Sequence, residues 1–400
     1  MNTANSTTDL WSYRLEERLD AAEARNWQLL FRGLMIVGAT TLMAGATLGG
    51  TRFWSALLLV SFYLVGLGLA GAVLIAFEYL ADAGWSVALR RVPEAMTSFL
   101  PWGGLGVLAV LICHPALYPW TGHEYQFVGF KALWLNRPFF LARAAMYPAI
   151  WIGFTRLMVR NSRQEDLTGA VDLRHRNAVI SAAFVVTFGL TVWLASVDWL
   201  MTLEPDWYST IFGVYNFSGI MTSGIAGVIL LGLWLRRLGP WRGVLNEEHL
   251  HDLGKLLFAF CTFWAYIWFS QYMLIWYANI SEETVYYVHR VHGEWGSLTI
   301  VNLLLNWAIP FFVLLSRAHK RAPRIIGQAA VVVLMGHWLD LYLMIAPANH
   351  AVPALPDAWF VGLTLGLVGV AGTVFWRALQ QAAVIPVHDR YLTESLHYYQ

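Results

Sequence analysis

Ten apolar runs, each close to the length of one membrane crossing, dominate the chain; they fall near residues 29–49, 53–79, 95–116, 138–160, 178–203, 208–236, 252–279, 295–316, 324–346 and 358–380. A hydrocarbon layer about 30 Å thick is crossed by roughly 20 residues of helix, and a helix satisfies its own backbone polar groups in a medium that offers none. The expected fold is therefore all-α and integral to the membrane, with ten transmembrane helices. Composition agrees: hydrophobic residues make up 58% of the 400 and charged residues 13%, about half the charged share of a soluble domain. The 21 tryptophans suit a protein with many membrane–water interfaces. A formal net charge of +1 argues against a nucleic-acid partner. Cys113 and Cys261 both lie in apolar runs without ligand spacing, which leaves disulfide, zinc and iron–sulfur readings unsupported and small packed thiols as the expectation.

The first 26 residues are polar, and no cleavable signal peptide is expected. Leu10, Trp11, Leu15 and Leu19, set against Arg14, Arg18 and Arg25, describe an amphipathic helix lying on the membrane or on a partner. About 20 of the 26 lysines and arginines collect on one side of the ten spans, at their ends or in the N-terminal segment. That side carries Arg90, Arg91, Arg160, Arg163, Arg174, Arg176, Arg236, Arg237, Arg242, Arg317, Lys320, Arg321, Arg324 and Arg390. The opposite loops carry Glu204, Asp206, Glu282, Glu283 and Asp357. The positive-inside rule then places both termini in the cytoplasm. The expected organisation is a cytoplasmic tail (1–28), a membrane domain (29–380) and a C-terminal cytoplasmic tail (381–400).

Two acids interrupt the apolar runs. Asp198 lies in LASVDWLMTLEP and Asp340 in GHWLDLYLMIAP, each seven residues before a proline. Desolvating a carboxylate at mid-bilayer costs at least about 2.5–3.5 kcal/mol, so such residues mark functional sites by default. The two segments run in the same direction and are offset by 142 residues (340 less 198). This spacing suggests a repeat about an axis along the membrane normal, with spans 2–5 (53–203) as one four-helix bundle and spans 6–9 (208–346) as the other. Spans 1 and 10 are then peripheral.

In the second half, His249, His251, Asp252 and Lys255 open span seven, with His251 and Asp252 each within reach of Lys255 at helical spacing. Span eight begins with His292 and Glu294 and then aligns Thr299, Asn302 and Asn306 on one face. Pro310 cannot donate to the carbonyl of Asn306, which leaves an acceptor free beside that face. His337 stands three residues before Asp340, on the same side of span nine. Together these groups can line a proton route; the bland alternative for the histidines at span ends is interfacial polarity. In the first half, His114, Arg143 and Asp198 can converge toward the outer leaflet, and Glu78 lies near the inner end of span two. His114 and Asp198 could accept protons from a quinol, or Arg143 could neutralise Asp198 as a structural pair. No haem, nucleotide or covalent cofactor motif is present, and nearly all of the 12 histidines lie at helix ends or in loops.

The stretches SVDWLMTLEPDWYSTIFGVYNFSG, HDLGKLLFAFCTFWAYIWFSQYMLIWYANISEET and HRVHGEWGSLTIVNLLLNWAIPFF resemble the NrfD/polysulfide-reductase-type membrane subunits. The likeness is greatest to the smaller of the two such subunits of bacterial alternative complex III. That resemblance implies ten helices in two four-helix bundles and residence in the bacterial inner membrane. It implies a place in a respiratory or photosynthetic quinol:cytochrome c, or oxidase-linked, oxidoreductase. The partners would be the larger NrfD-like subunit, an iron–sulfur subunit and haem c subunits, which would hold the haems and clusters. No cofactor is expected on this chain itself, although quinone binding through His114 and Asp198 stays open. The expected role is proton transfer through Asp340, His337, Asn306, Asn302, Thr299, His292, Glu294, His251, Asp252 and Lys255, with quinol binding and structural anchoring as the alternatives.

Overall fold

A computed structural model describes residues 21–122, 125–170, 172–349 and 351–399. The expected amphipathic helix through Leu10, Trp11 and Leu19 lies outside the described residues. All regular structure among the described residues is helical. Ten long helices follow in chain order: α1 (Ala21–Leu48), α2 (Gly50–Leu80), α3 (Leu100–Cys113), α4 (Arg137–Thr168), α5 (Asp172–Trp199), α6 (Phe212–Leu238), α7 (Glu247–Ala278), α8 (Glu294–Leu315), α9 (Pro323–Ile345) and α10 (Ala358–Leu379). Short helical turns from Val87 to Phe99 lead into α3, and a surface helix, Ser281–Val291, precedes α8.

Among the described residues nine helices are long and apolar enough to cross a membrane, which makes the chain a multi-pass membrane protein by composition. The tenth expected span, 138–160, is the exception. It is a helix of 32 residues, ample in length, but Arg137, Arg143, Arg156 and Arg160 lower its hydropathy, and Arg143 is buried.

The packing explains how a charged helix is accommodated. Helix α4 lies between α3 and α5, and both of those touch α2, so its buried stripe faces protein. A second ring is formed by α6, α7, α8 and α9, and α2 meets α6 where the two rings touch. There Gly224 faces Ala70 so closely that a side chain on the glycine would collide with it. Helices α1 and α10 pair with each other through a seam of small residues, with Gly38 against Gly366 and Thr41 against Gly362. Without a hydrophobic drive between helices in lipid, such close backbone approach is what dispersion can reward.

One end of the assembly, here the basic end, is closed by the C-terminal segment. Arg90 is buried between Glu78 and Asp389, Arg174 bridges Asp389 (2.7 Å) and Asp82 (2.8 Å), and Arg390 also reaches Asp82 (2.7 Å). The hydroxyl of Tyr398 donates to Asp252 (2.7 Å). The residues after 380 are thus folded back onto α2, α5 and α7. The opposite, acidic end carries Glu204, Asp206 and Glu282.

Candidate functional site

Asp340 is 1% exposed and sits at the centre of the second ring. Its Oδ1 accepts from the hydroxyl of Tyr215 on α6 and from Asn302 Nδ2 on α8 (2.9 Å); its Oδ2 accepts from Trp264 Nε1 on α7 (3.0 Å). All three donors are neutral, and each comes from a different helix of the ring. Asn306 donates to Asn302 Oδ1 (2.7 Å), which orients the amide that meets the acid, while its own Oδ1 is buried without a partner. The backbone here is π-helical over Leu304–Ala308. The register change answers Pro310, which has no N–H to continue the α-helical ladder.

His337 lies one turn along α9, its Nδ1 3.9 Å from Asp340 Oδ2. That separation is beyond a hydrogen bond, and neither ring nitrogen has a hydrogen-bond partner among the described residues. The ring packs against Tyr63 of α2 (centroids 5.4 Å apart) and over Gly219, where a Cβ would come within 2.6 Å of it. The acid and the unpartnered imidazole therefore share one buried site.

Toward the acidic end, a cavity of about 20 Å³ adjoins Asp340, Asn302 and Thr299, room for about one water molecule. Arg290 forms its far wall. This guanidinium donates to the carbonyls of Leu343 (2.7 Å), Tyr286 (2.8 Å) and Met344 (3.1 Å), and pairs with Glu204 (2.6 Å). Thr299 is turned to it, donating to the Arg290 carbonyl (2.6 Å). Glu204 lines an open pocket of about 390 Å³ together with Asp206, Glu282 and His289. Polar groups thus lead stepwise from Asp340 to the acidic end.

The other expected members stand elsewhere. Asp252 is buried, pairs with the exposed Lys255 (2.5 Å) and accepts from Tyr398, and His251 Nδ1 is 3.9 Å from it. Trp264, which touches Asp340, is twelve residues further along the same helix, about 18 Å away. His292 and Glu294 are exposed at the start of α8. His249 caps α7 in a reciprocal pair with Asn246 and reaches the Trp85 carbonyl (3.0 Å), a structural role.

In the first ring Asp198 is fully buried and accepts four hydrogen bonds. Arg143 approaches both oxygens (Nε 3.0 Å, Nη2 3.1 Å), Tyr147 donates at 2.8 Å and Trp134 Nε1 at 2.9 Å. The guanidinium also stacks over Trp134 at 3.8 Å. His114 lies parallel to Trp54 instead (5.6 Å between centroids, 5° between planes). The Asp198 oxygens thus hold four donors already, whereas His114 Nε2 is buried without a partner among the described residues.

Tyr215, Trp264, Arg290 and Glu204 were not among the expected site residues. Arg290 alone carried a signal, as a cation on the side otherwise rich in acids. Among the described residues no cluster of three or more His, Cys, Asp or Glu could hold a metal ion.

No family model matches the chain. A curated protein of Nitratidesulfovibrio vulgaris (strain Hildenborough), described only as "Protein", is 22% identical over 230 residues, 54% of this chain and 58% of that one. The chain therefore spans less than two thirds of that relative's length.

Proposed function

We propose that this chain is the smaller NrfD-type membrane subunit of an alternative complex III, working beside subunits that carry the haems and iron–sulfur clusters. It crosses the bacterial inner membrane ten times in two four-helix bundles, with the basic end in the cytoplasm. Its part is to move protons through the second bundle, and it carries no electrons itself. The observation that carries this reading is Asp340: a buried carboxyl held by neutral donors alone, next to an imidazole with two free nitrogens and a water-sized cavity. A purely structural acid at that depth would be expected to have a cation, as Asp198 has.

Asp340 would exchange a proton with water in the cavity, and His337 would serve the basic side of the site. From the cavity the Arg290–Glu204 pair leads to the acidic pocket, where protons would leave. On the basic side the groups about Asp252 would take protons up. The stretch between them and His337 needs water, since side chains do not bridge it.

The test is proton uptake and release, measured with electron transfer, in proteoliposomes of the whole complex. Asp340→Asn should keep quinol oxidation while lowering the protons moved per electron. An unchanged ratio in both Asp340→Asn and His337→Ala would leave this subunit as a structural anchor.

A further inference from the structure

A groove of about 740 Å³ opens between α3, α4 and α10 near the basic end, outside both rings' polar centres. Arg156, Arg160 and Arg163 of α4 and Arg377 of α10 border it. Arg156, Arg160 and Arg377 are exposed and make no ion pair or hydrogen bond among the described residues. Arg163 is held by Gln381 (2.6 Å) and the Ala378 carbonyl (3.3 Å), and its Nε is buried without a partner. Glu94 is the groove's acid, and Arg91 already pairs with it. Four guanidiniums thus border one groove whose single carboxylate, Glu94, is already paired through one oxygen with Arg91.

The opposite wall is apolar and continues along the helix. Trp102 borders the groove, and Leu105 and Ile112 extend the same face of α3; they are 53%, 62% and 57% exposed. Spacings of three and seven residues put them in one stripe. A cationic floor at the helix ends beneath an apolar track matches a molecule with phosphate at one end and acyl chains at the other. A free phosphate would use the floor and leave the track empty.

We propose that this groove binds an anionic glycerophospholipid with two phosphates, a diphosphatidylglycerol, with the phosphates on the four arginines and one pair of acyl chains along Trp102, Leu105 and Ile112. The site would fill the gap between α4 and α10, tying the paired helices α1 and α10 to the first ring. It is independent of proton transfer through Asp340, since it shares no residue with that path.

The experiment is native mass spectrometry and thermal unfolding of the delipidated full chain in detergent, titrated with tetraoleoyl cardiolipin, dioleoyl phosphatidylcholine or inorganic phosphate. Wild type should form a one-to-one cardiolipin adduct and unfold at a higher temperature, with no such response to phosphatidylcholine. The triple variant Arg156→Gln/Arg160→Gln/Arg377→Gln should bind cardiolipin roughly 100-fold more weakly, at about fivefold per arginine. The single variant Arg377→Gln, expected to lose about fivefold, keeps the test open if the triple variant does not fold. Arg242→Gln/Arg324→Gln, at the same end of the molecule, should bind as wild type does. Equal affinity in the wild-type and Arg377→Gln chains overturns the proposal. So does equal stabilisation by inorganic phosphate, which would make the groove a phosphate site. Unchanged cardiolipin binding with loss of another subunit from the complex would make it a protein-docking surface.

Discussion

Asp198 and Asp340 occupy matching places in the two rings and are bound alike by two of their three partners. Each accepts from a tyrosine hydroxyl and a tryptophan N–H. The third partner comes in both cases from the helix preceding the acid in its ring. On α4 it is Arg143, which grips both oxygens of Asp198; on α8 it is Asn302, which gives Asp340 one neutral hydrogen bond. A two-toothed guanidinium cancels the charge and fixes the carboxylate plane. An amide leaves the charge uncompensated, with the carboxyl beside a water-sized cavity and an imidazole. A single exchange of the third partner separates an acid paired with a cation from one held by neutral donors alone, the one to which the proposed function gives a proton to exchange.

The largest effect expected from breaking this comparison is at Arg143. Arg143→Ala would leave Asp198 buried with its charge unmatched, a loss of about 3–5 kcal/mol. Thermal unfolding of the detergent-solubilised chain should show it as a large fall in Tm. Asp198→Asn should be nearly as harmful, because it strands the guanidinium. Replacing both by apolar residues of similar size should recover most of the loss. A neutral outcome for Arg143→Ala would mean that the pair does not hold the first ring together.

Much of this was legible from the sequence. A charge inside an apolar run is costly wherever the run folds, so Asp198 and Asp340 could be singled out before any contact was known. The apolar runs likewise became long helices, nine of them apolar enough among the described residues to cross a membrane, and the charged one, α4, is the one that fails on composition. The tyrosine and tryptophan donors were not legible, since nothing in their spacing sets Tyr215 and Trp264 apart from the many other aromatics of the apolar runs. The stacking of His114 on Trp54 was not legible either: depth along a helix can be counted from sequence, but the direction of a side chain around it depends on packing. The C-terminal segment reads as a polar tail; only its return onto Arg90 and Arg174 shows Asp389 to be a buried counter-ion.

A smaller effect is expected at Gly219. Its backbone lies against the His337 ring, and a methyl group there would force the ring to shift from its place beside Asp340. Gly219→Ala should cost about 1–3 kcal/mol by overpacking. If His337 belongs to the proton path, the variant should also reduce proton movement in proteoliposomes. The matching close contact of Gly224 with Ala70 is a control: Gly224→Ala should lower Tm without a specific effect on protons.

Asp340→Asn should be milder still for stability. The amide oxygen can keep Tyr215 and Asn302, and the loss is the Trp264 bond, about 1 kcal/mol. A fall in Tm as large as that of Asp198→Asn would show that Asp340, too, is structural, and would erase the distinction between the rings.

The smallest effect concerns a third buried acid, Glu165, which lies beyond the expected span 138–160 at the basic end. It stands between the two aspartates in kind: Arg90 and Arg174 are near enough to favour its charge, but Asp389 opposes them and no guanidinium grips it among the described residues. Burial, its largest influence, pushes the carboxyl up from 4.5 to about 7. An acid raised on folding gives up protons more readily when unfolded, so it weakens the fold as pH rises from about 4.5 and adds no further loss above about 7. Glu165→Gln removes that term. The Tm of the variant minus that of wild type should therefore climb between pH 5 and pH 7 and level off by pH 8. A difference that stays flat over this range would mean that Arg90 and Arg174 already compensate Glu165, as Arg143 compensates Asp198.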